Sequence, residues 1–245
     1  MKDYFKLSSS ILYWLFIAPF RGRMFSMGET FHQIVRIGVQ ALPMASLTAF
    51  SVGLTLAMQA AREMGRLGAD AYVPDLVTVS LLRELGPLLI AVIVVGRSGS
   101  AVTAELGTMV VSEEIEALEV MAINPVRFLV IPRFLAMVIM LPVLTVFGNY
   151  VGMFGGWWIC HYTLDMETAN YIFRGFARAE FVDLYSGLIK SAVFAYLIIT
   201  IACHFGMTVK GGAEGVGRNT TFSVVYSLLA ILISNALLTG VFFFL

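Results

Sequence analysis

Three charged residues stand inside otherwise apolar runs: Arg83 and Glu84 in SLLRELGPLLIAVIVV, and Lys190 in LYSGLIKSAVFAYLII. Apolar runs of this length suit membrane-spanning helices. Charge at such depth is costly and marks function by default. One chemistry is a buried salt bridge that only fixes helix packing. The other is a cationic site for an anion, such as the phosphate of a lipid headgroup. Neighbours on a helix point about 100° apart, so Arg83 and Glu84 cannot both face one partner. Two cations against one acid predict spare positive charge beside an outward-facing cavity. The tails of a lipid would need apolar, adaptable walls, for which Leu54, Met58, Tyr72, Leu76 and Val77 are the candidates.

A second chemistry is nucleophilic. Gly96-Arg97-Ser98-Gly99 has the G-x-S-G form of a rhomboid-like intramembrane serine protease, and His204 in a later apolar run is a candidate base. A Ser–His dyad suffices for such chemistry where geometry allows. Metal-ligand spacings of the CxxC or HExxH type are absent, and Cys160 and Cys203 read as small core residues. The chain also lacks a G-x-x-x-x-G-K-[ST] phosphate loop, so it binds no ATP by that route.

The segment 111–122 has a third character. Val111, Ile115, Leu118 and Ala122 recur at helical spacing, with Glu113, Glu116 and Glu119 opposite and Met121 near the end. Ser112 is the expected N-cap, and Asn124-Pro125 the stop. Such a polar helix between two spans suits docking of a soluble partner.

The elements that must hold these residues follow from composition. The 245 residues are 59% hydrophobic and 13% charged, against about 25% charged in soluble domains. The fold expected is all-α and polytopic, with five spans at 37–60, 76–104, 134–162, 184–209 and 222–245. Arg83, Glu84 and Lys190 then share a depth of roughly 10 Å from one face, at 1.5 Å rise per residue. A shorter run, 7–20, reads as a helix lying in the interface with Tyr13 and Trp14 near the headgroups; the competing reading is a signal peptide, with a poor cleavage site at Ile17-Ala18-Pro19-Phe20. Lys2, Lys6, Arg21, Arg23, Arg36, Arg127, Arg133, Lys210 and Arg218 fall on one side, and Arg62, Arg66, Arg174 and Arg178 on the other. That bias puts the N-terminus in the cytoplasm and the C-terminus outside. Residues 166–179 read as a short surface helix in the outer loop, and Gly148, Gly152 and Gly156 as a stripe for close helix packing. The net charge of +0 suggests no nucleic-acid partner.

Leu82-Arg83-Glu84-Leu85-Gly86-Pro87, Gly96-Arg97-Ser98-Gly99-Ser100, Thr103-Ala104-Glu105-Leu106-Gly107, Glu119-Val120-Met121-Ala122, Asn124-Pro125 and Gly215-Val216-Gly217-Arg218-Asn219-Thr220-Thr221 together resemble the MlaE (YrbE) family, permease subunits of ABC transporters that work with MCE-domain lipid-binding proteins. The resemblance implies a single permease domain over 1–245 in a bacterial inner membrane, paired as a homodimer. It implies that 111–122 is the coupling helix on a separate ABC ATPase, which carries the ATP and Mg, while this chain binds no cofactor. It further implies phospholipid or related lipid as the cargo, an MCE partner on the outer face, and a lipid pocket near the Arg83, Glu84 and Lys190 cluster.

Overall fold

Lipid offers no hydrogen bonds to a backbone, so a spanning chain must satisfy its own N–H and C=O groups, and helices do this within one segment. The computed structural model describes residues 2–17 and 27–244. Its helices are α1 (Lys2–Leu12), α2 (Met27–Ile37), α3 (Leu42–Arg66), α4 (Val73–Ser80), α5 (Gly86–Val94), α6 (Ser100–Val111), α7 (Glu114–Val120), α8 (Ile131–Thr163), α9 (Thr168–Arg178), α10 (Phe181–Met207) and α11 (Gly212–Phe244). No strand occurs among the described residues. Five helical stretches are long and apolar enough to cross a membrane: Met27–Arg66, Asp70–Val111, Val126–Thr163, Phe181–Met207 and Gly212–Phe242. The protein is thus all-α and polytopic.

Local departures from the sequence reading have local causes. The second stretch runs on to Val111 and is broken by two π-helical turns, Leu81–Leu85 and Val95–Gly99. Such turns insert one residue and gather at functional sites. The first stretch begins with α2, a separate amphipathic helix with Thr30, Gln33 and Ile37 buried. At the N-terminus helix already starts at Lys2. Residues 18–20 of the expected interfacial helix, most of the weighed cleavage site, and Arg21 and Arg23 lie outside the described residues.

The chain divides into two units. One comprises Met1–Ala41, Val94–Met140 and Val193–Leu237; the other comprises Leu42–Ile93, Leu141–Ala192 and Leu238–Leu245. In the first, α1 is tied to α10 through Tyr4 and Thr200, 3.0 Å apart, and through Ser8 and Tyr196. The Thr103 hydroxyl lies within hydrogen-bond distance of the Ala202 carbonyl, 3.1 Å, and the Ser223 hydroxyl, 2.8 Å, joining α6, α10 and α11. Asn219 of the N-x-T sequence donates to the Phe205 carbonyl at 2.9 Å, so its amide is occupied in packing.

The second unit is organised by small residues. Ala45, Ala49, Gly53, Ala57 and Ala61 are the buried face of α3. Gly53 meets Gly152 of α8 so closely that a Cβ on Gly53 would lie 1.9 Å from the Gly152 carbonyl oxygen. The glycine stripe of α8 therefore packs within the chain. Beside it Val73, Val77, Leu81, Leu82, Met153 and Tyr171 form a buried cluster. Helix α9 lies against α4, with Gly175 over the Thr78 side chain and the Tyr171 hydroxyl donating to the Met153 carbonyl at 3.0 Å. Burial pushes the Tyr171 phenol up, with a smaller push from Cys160. A raised pKa favours the neutral folded form, so this contribution is intact below the unfolded tyrosine value of about 10 and is lost as pH rises beyond it. Tyr171→Phe should lower stability by about 1 kcal/mol, measured by thermal unfolding in detergent. An unchanged midpoint would show that this hydrogen bond does not hold α9.

Candidate functional site

In the second unit, the π-helical turn Leu81–Leu85 carries Arg83 and Glu84, and the Gly86 N–H reaches back five residues to the Leu81 carbonyl. Proline follows at position 87. It has no N–H to give the Arg83 carbonyl four residues before it, and a buried carbonyl must find another donor. Lys190 supplies it: Nζ lies 3.2 Å from the Arg83 oxygen, 2.8 Å from Thr239 Oγ1 and 2.5 Å from Glu84 Oε1. Thr239 completes the arrangement by donating to Glu84 at 2.9 Å. Helix α10 comes close enough because Gly187 stands one turn before Lys190; a Cβ there would sit 2.2 Å from the Leu82 carbonyl oxygen. Lys190 is 1% exposed, and its three donors have three acceptors.

The expected surplus of positive charge is corrected by Asp183. This buried carboxylate lies 3.8 Å from Arg83 Nε, making the cluster two cations against two acids. Its other oxygen accepts from the Glu180 N–H at 3.1 Å, the reach-back of an acid three residues into a helix. Nothing in the sequence singled out Asp183 or Thr239 as partners of these charges. The structure brings Arg83, Glu84 and Lys190 together, but gives them unlike positions. Lys190 is enclosed and satisfied. The Arg83 side chain is 40% exposed, and its guanidinium makes no hydrogen bond among the described residues.

Two apolar cavities of about 310 and 290 Å³ lie in this unit, sharing Tyr150, Met153 and Phe176. Leu82, the residue before Arg83, lines the first together with Asn149; the Asn149 Oδ1 is buried without a hydrogen-bond partner among the described residues. None of the five expected wall residues lines either cavity. Val77 is fully buried in the core, Leu54 is half-buried, and Met58, Tyr72 and Leu76 are exposed. The Arg174 guanidinium lies 5.9 Å from the centre of the Tyr72 ring. The walls come instead from Tyr150, Met153, Phe154 and Trp157, at i, i+3, i+4 and i+7 on α8. That period is visible in the sequence, beside the glycine stripe of the same helix.

The acidic segment forms α7 over Glu114–Val120, shorter than 111–122. Ser112 is not its N-cap: it ends α6, donating to the Thr108 carbonyl and to Glu114. The cap position is Glu113, in a left-handed conformation at φ 60°. Ile115 and Leu118 are half-buried, whereas Glu113, Glu116, Glu119, Val120 and Met121 are exposed. No ion pair holds these acids among the described residues. The stop of α7 is not Asn124 but Ala122, left-handed at φ 58°, where the Ala122 and Ile123 N–H groups reach back to the Glu119 and Leu118 carbonyls. Asn124 opens the next helix, its Oδ1 accepting from the N–H groups of Val126 and Arg127.

The protease geometry fails. Ser98 is buried and donates its hydroxyl proton to the Ile37 carbonyl at 3.0 Å. The His204 ring packs edge-on against Tyr4 and Phe205, and among the described residues Ser98 makes no hydrogen bond to a histidine.

The sequence matches the family model described as Permease MlaE over residues 30–241. It is 41% identical over 211 residues to a probable ABC transporter permease protein of Rickettsia prowazekii, covering 86% of this chain and 82% of the relative. Against a probable ABC transporter permease protein of Synechocystis the identity is 38% over 229 residues, 94% of this chain and 87% of the relative. Against the chloroplast protein trigalactosyldiacylglycerol 1 of Arabidopsis thaliana it is 36% over 221 residues, 88% of this chain and 61% of the relative. The family match over most of its length, these relatives and its five stretches apolar enough to span place the chain in the MlaE permease family, as a multi-pass permease subunit of the ABC type.

Proposed function

We propose that the protein is the membrane subunit through which an ABC transporter moves phospholipid or a related lipid between the inner membrane and an MCE-domain protein. The observation that carries the lipid reading is the Arg83 guanidinium, 40% exposed, held only by a long pair with Asp183 and next in sequence to Leu82 of an apolar cavity. It offers donors to a headgroup phosphate, and the aromatic and methionine walls suit acyl chains. The Arabidopsis relative bears a galactolipid's name, which supports a lipid as the class of cargo. The N-terminus is cytoplasmic and the C-terminus outside, on the distribution of Lys and Arg. Two copies of the chain act together, since an ABC transporter uses two permease halves.

The energy comes from a separate ATPase, which holds the ATP and Mg, and α7 is its docking helix. Exposed Glu113, Glu116 and Glu119, held by no ion pair among the described residues, and an exposed Val120–Met121 tip support that role. Leu118→Asp, or charge reversal at Glu116 and Glu119, is expected to release the ATPase or reduce lipid-stimulated hydrolysis at least tenfold while the permease still inserts. Copurification and ATPase assay of these variants test it; full association and activity would remove α7 from the coupling role. For the cargo, Arg83→Ala should lower retained lipid, measured by mass spectrometry, without lowering folded yield.

A further inference from the structure

A second charged cluster lies in the other unit, independent of the proposed lipid cavity. Glu105 of α6 holds two arginines: Arg36 of α2 at 2.8 Å and Arg133 of α8 at 3.0 Å. A third, Arg97, stands on the π-helical turn Val95–Gly99. Its contacts are all neutral: the Arg36 carbonyl at 3.3 Å, the Ser98 hydroxyl at 3.4 Å and Gln40 Oε1 at 3.1 Å. Glu29, one turn before Gln33, is within reach of Gln33 Nε2 at 3.0 Å. Even counting it, three guanidinium groups face two carboxylates among the described residues, all within helical stretches apolar enough to span. Positive charge left uncompensated there favours an anionic partner.

The space for one is present. Gln33, Arg36, Gln40, Arg97, Ser98 and Glu105 line a cavity of about 240 Å³, against roughly 30 Å³ for a water molecule in the liquid. Gln33 is 2% exposed and its Oε1 has no hydrogen-bond partner among the described residues. A buried amide oxygen left open costs stability unless a donor reaches it. The site therefore presents a free cation and an open acceptor together.

We propose that this cavity binds a phosphate group that carries a neighbouring donor. Arg97, with Arg36 beside it, takes the phosphate oxygens in the forked geometry guanidinium provides. Gln33 Oε1 accepts from the adjacent donor, which is the P–OH of free phosphate or the hydroxyl or ammonium of a lipid headgroup.

The test uses the full chain in detergent micelles with two probes, phosphatidylglycerol and inorganic phosphate. A photocrosslinking residue at Ala101, an exposed cavity wall, reports on this site and not on the Arg83 cavity, with loss of the crosslink in Arg97→Gln separating bound from surrounding lipid, so a negative result leaves the Arg83 reading standing. Crosslinked phosphatidylglycerol that inorganic phosphate does not displace identifies a headgroup site. Saturable binding of inorganic phosphate by calorimetry, weakened in Arg97→Gln, identifies a free-phosphate site. In either case Arg97→Gln should weaken binding about tenfold to a hundredfold, since a hydrogen bond to a charged group is worth about 1.5–3 kcal/mol. Gln40→Leu frees one hold on Arg97 without removing charge and should shift affinity severalfold, which keeps the question decidable if Arg97→Gln does not fold. Binding of neither probe, or unchanged affinity in every variant that folds, overturns the proposal.

Discussion

Glu84→Ala is expected to remove most of the folded protein. The substitution leaves the Lys190 ammonium, 1% exposed, with only a threonine hydroxyl and the Arg83 carbonyl. Removing one partner of a buried ion pair costs about 3–5 kcal/mol, because the other charge is stranded. Native proteins hold only about 5–15 kcal/mol in all. Lys190→Met should be costly for the converse reason, though less so, because Glu84 keeps the Thr239 hydroxyl and its side chain is 30% exposed. The double variant Glu84→Gln with Lys190→Met should recover much of the loss, since an apolar replacement of a whole pair is often near neutral. Thermal unfolding and folded yield of the three variants measure the coupling. If Glu84→Ala melts with the parent, the pair does not hold the helices. Arg83 differs: its pair is long and its side chain exposed, so Arg83→Ala should cost no more than about 1 kcal/mol. That contrast separates the part of the cluster that fastens α10 to the turn from the part free to meet a ligand.

The three charges could be found in the sequence because charge in an apolar run is conspicuous. Their partners could not. Asp183 sits at the edge of its span, where acids are unremarkable, and Thr239 is a lone hydroxyl in LLTGVFFF. Both are chosen by tertiary approach, and only Pro87 hinted that the Arg83 carbonyl would need an outside donor. The five spans were legible from length and composition, but their internal breaks were not. A π-helical turn shifts the helical phase by one residue, too little to see in a run that is apolar all round. Helix α2 was hidden in GETFHQIVRI, whose polar residues resemble a linker although Thr30 and Gln33 are buried. The walls of the two cavities were not foreseen, because on α8 the glycine stripe is conspicuous in the sequence and its aromatic neighbour face is not. Helix α7 was placed by its acids, and its start shifted because Glu113 adopts a left-handed conformation that an Asn or Gly would signal and a Glu does not.

Gly53→Val is expected to prevent folding of the second unit. A Cβ at this position would lie 1.9 Å from the Gly152 carbonyl oxygen and 2.6 Å from its carbon. Both are backbone atoms of α8, so no side-chain rotation relieves the clash. The helices must part, and the neighbouring contacts at Ala49 and Ala57 part with them. Overpacking a core usually costs about 1–3 kcal/mol, and more where nothing can yield; here the upper end or beyond is expected. Without a hydrophobic drive between helices in lipid, this close van der Waals fit is itself what holds α3 to α8. Gly240→Ala supplies the control. A Cβ there meets nothing within 4 Å, so the change should be neutral or stabilise by up to about 1 kcal/mol through helix propensity. Monodisperse yield and thermal unfolding of the two variants in the same detergent decide the matter. A Gly53→Val protein that purifies and melts like the parent would show that α3 and α8 do not depend on this contact, and that the stripe from Ala45 to Ala61 is small for another reason.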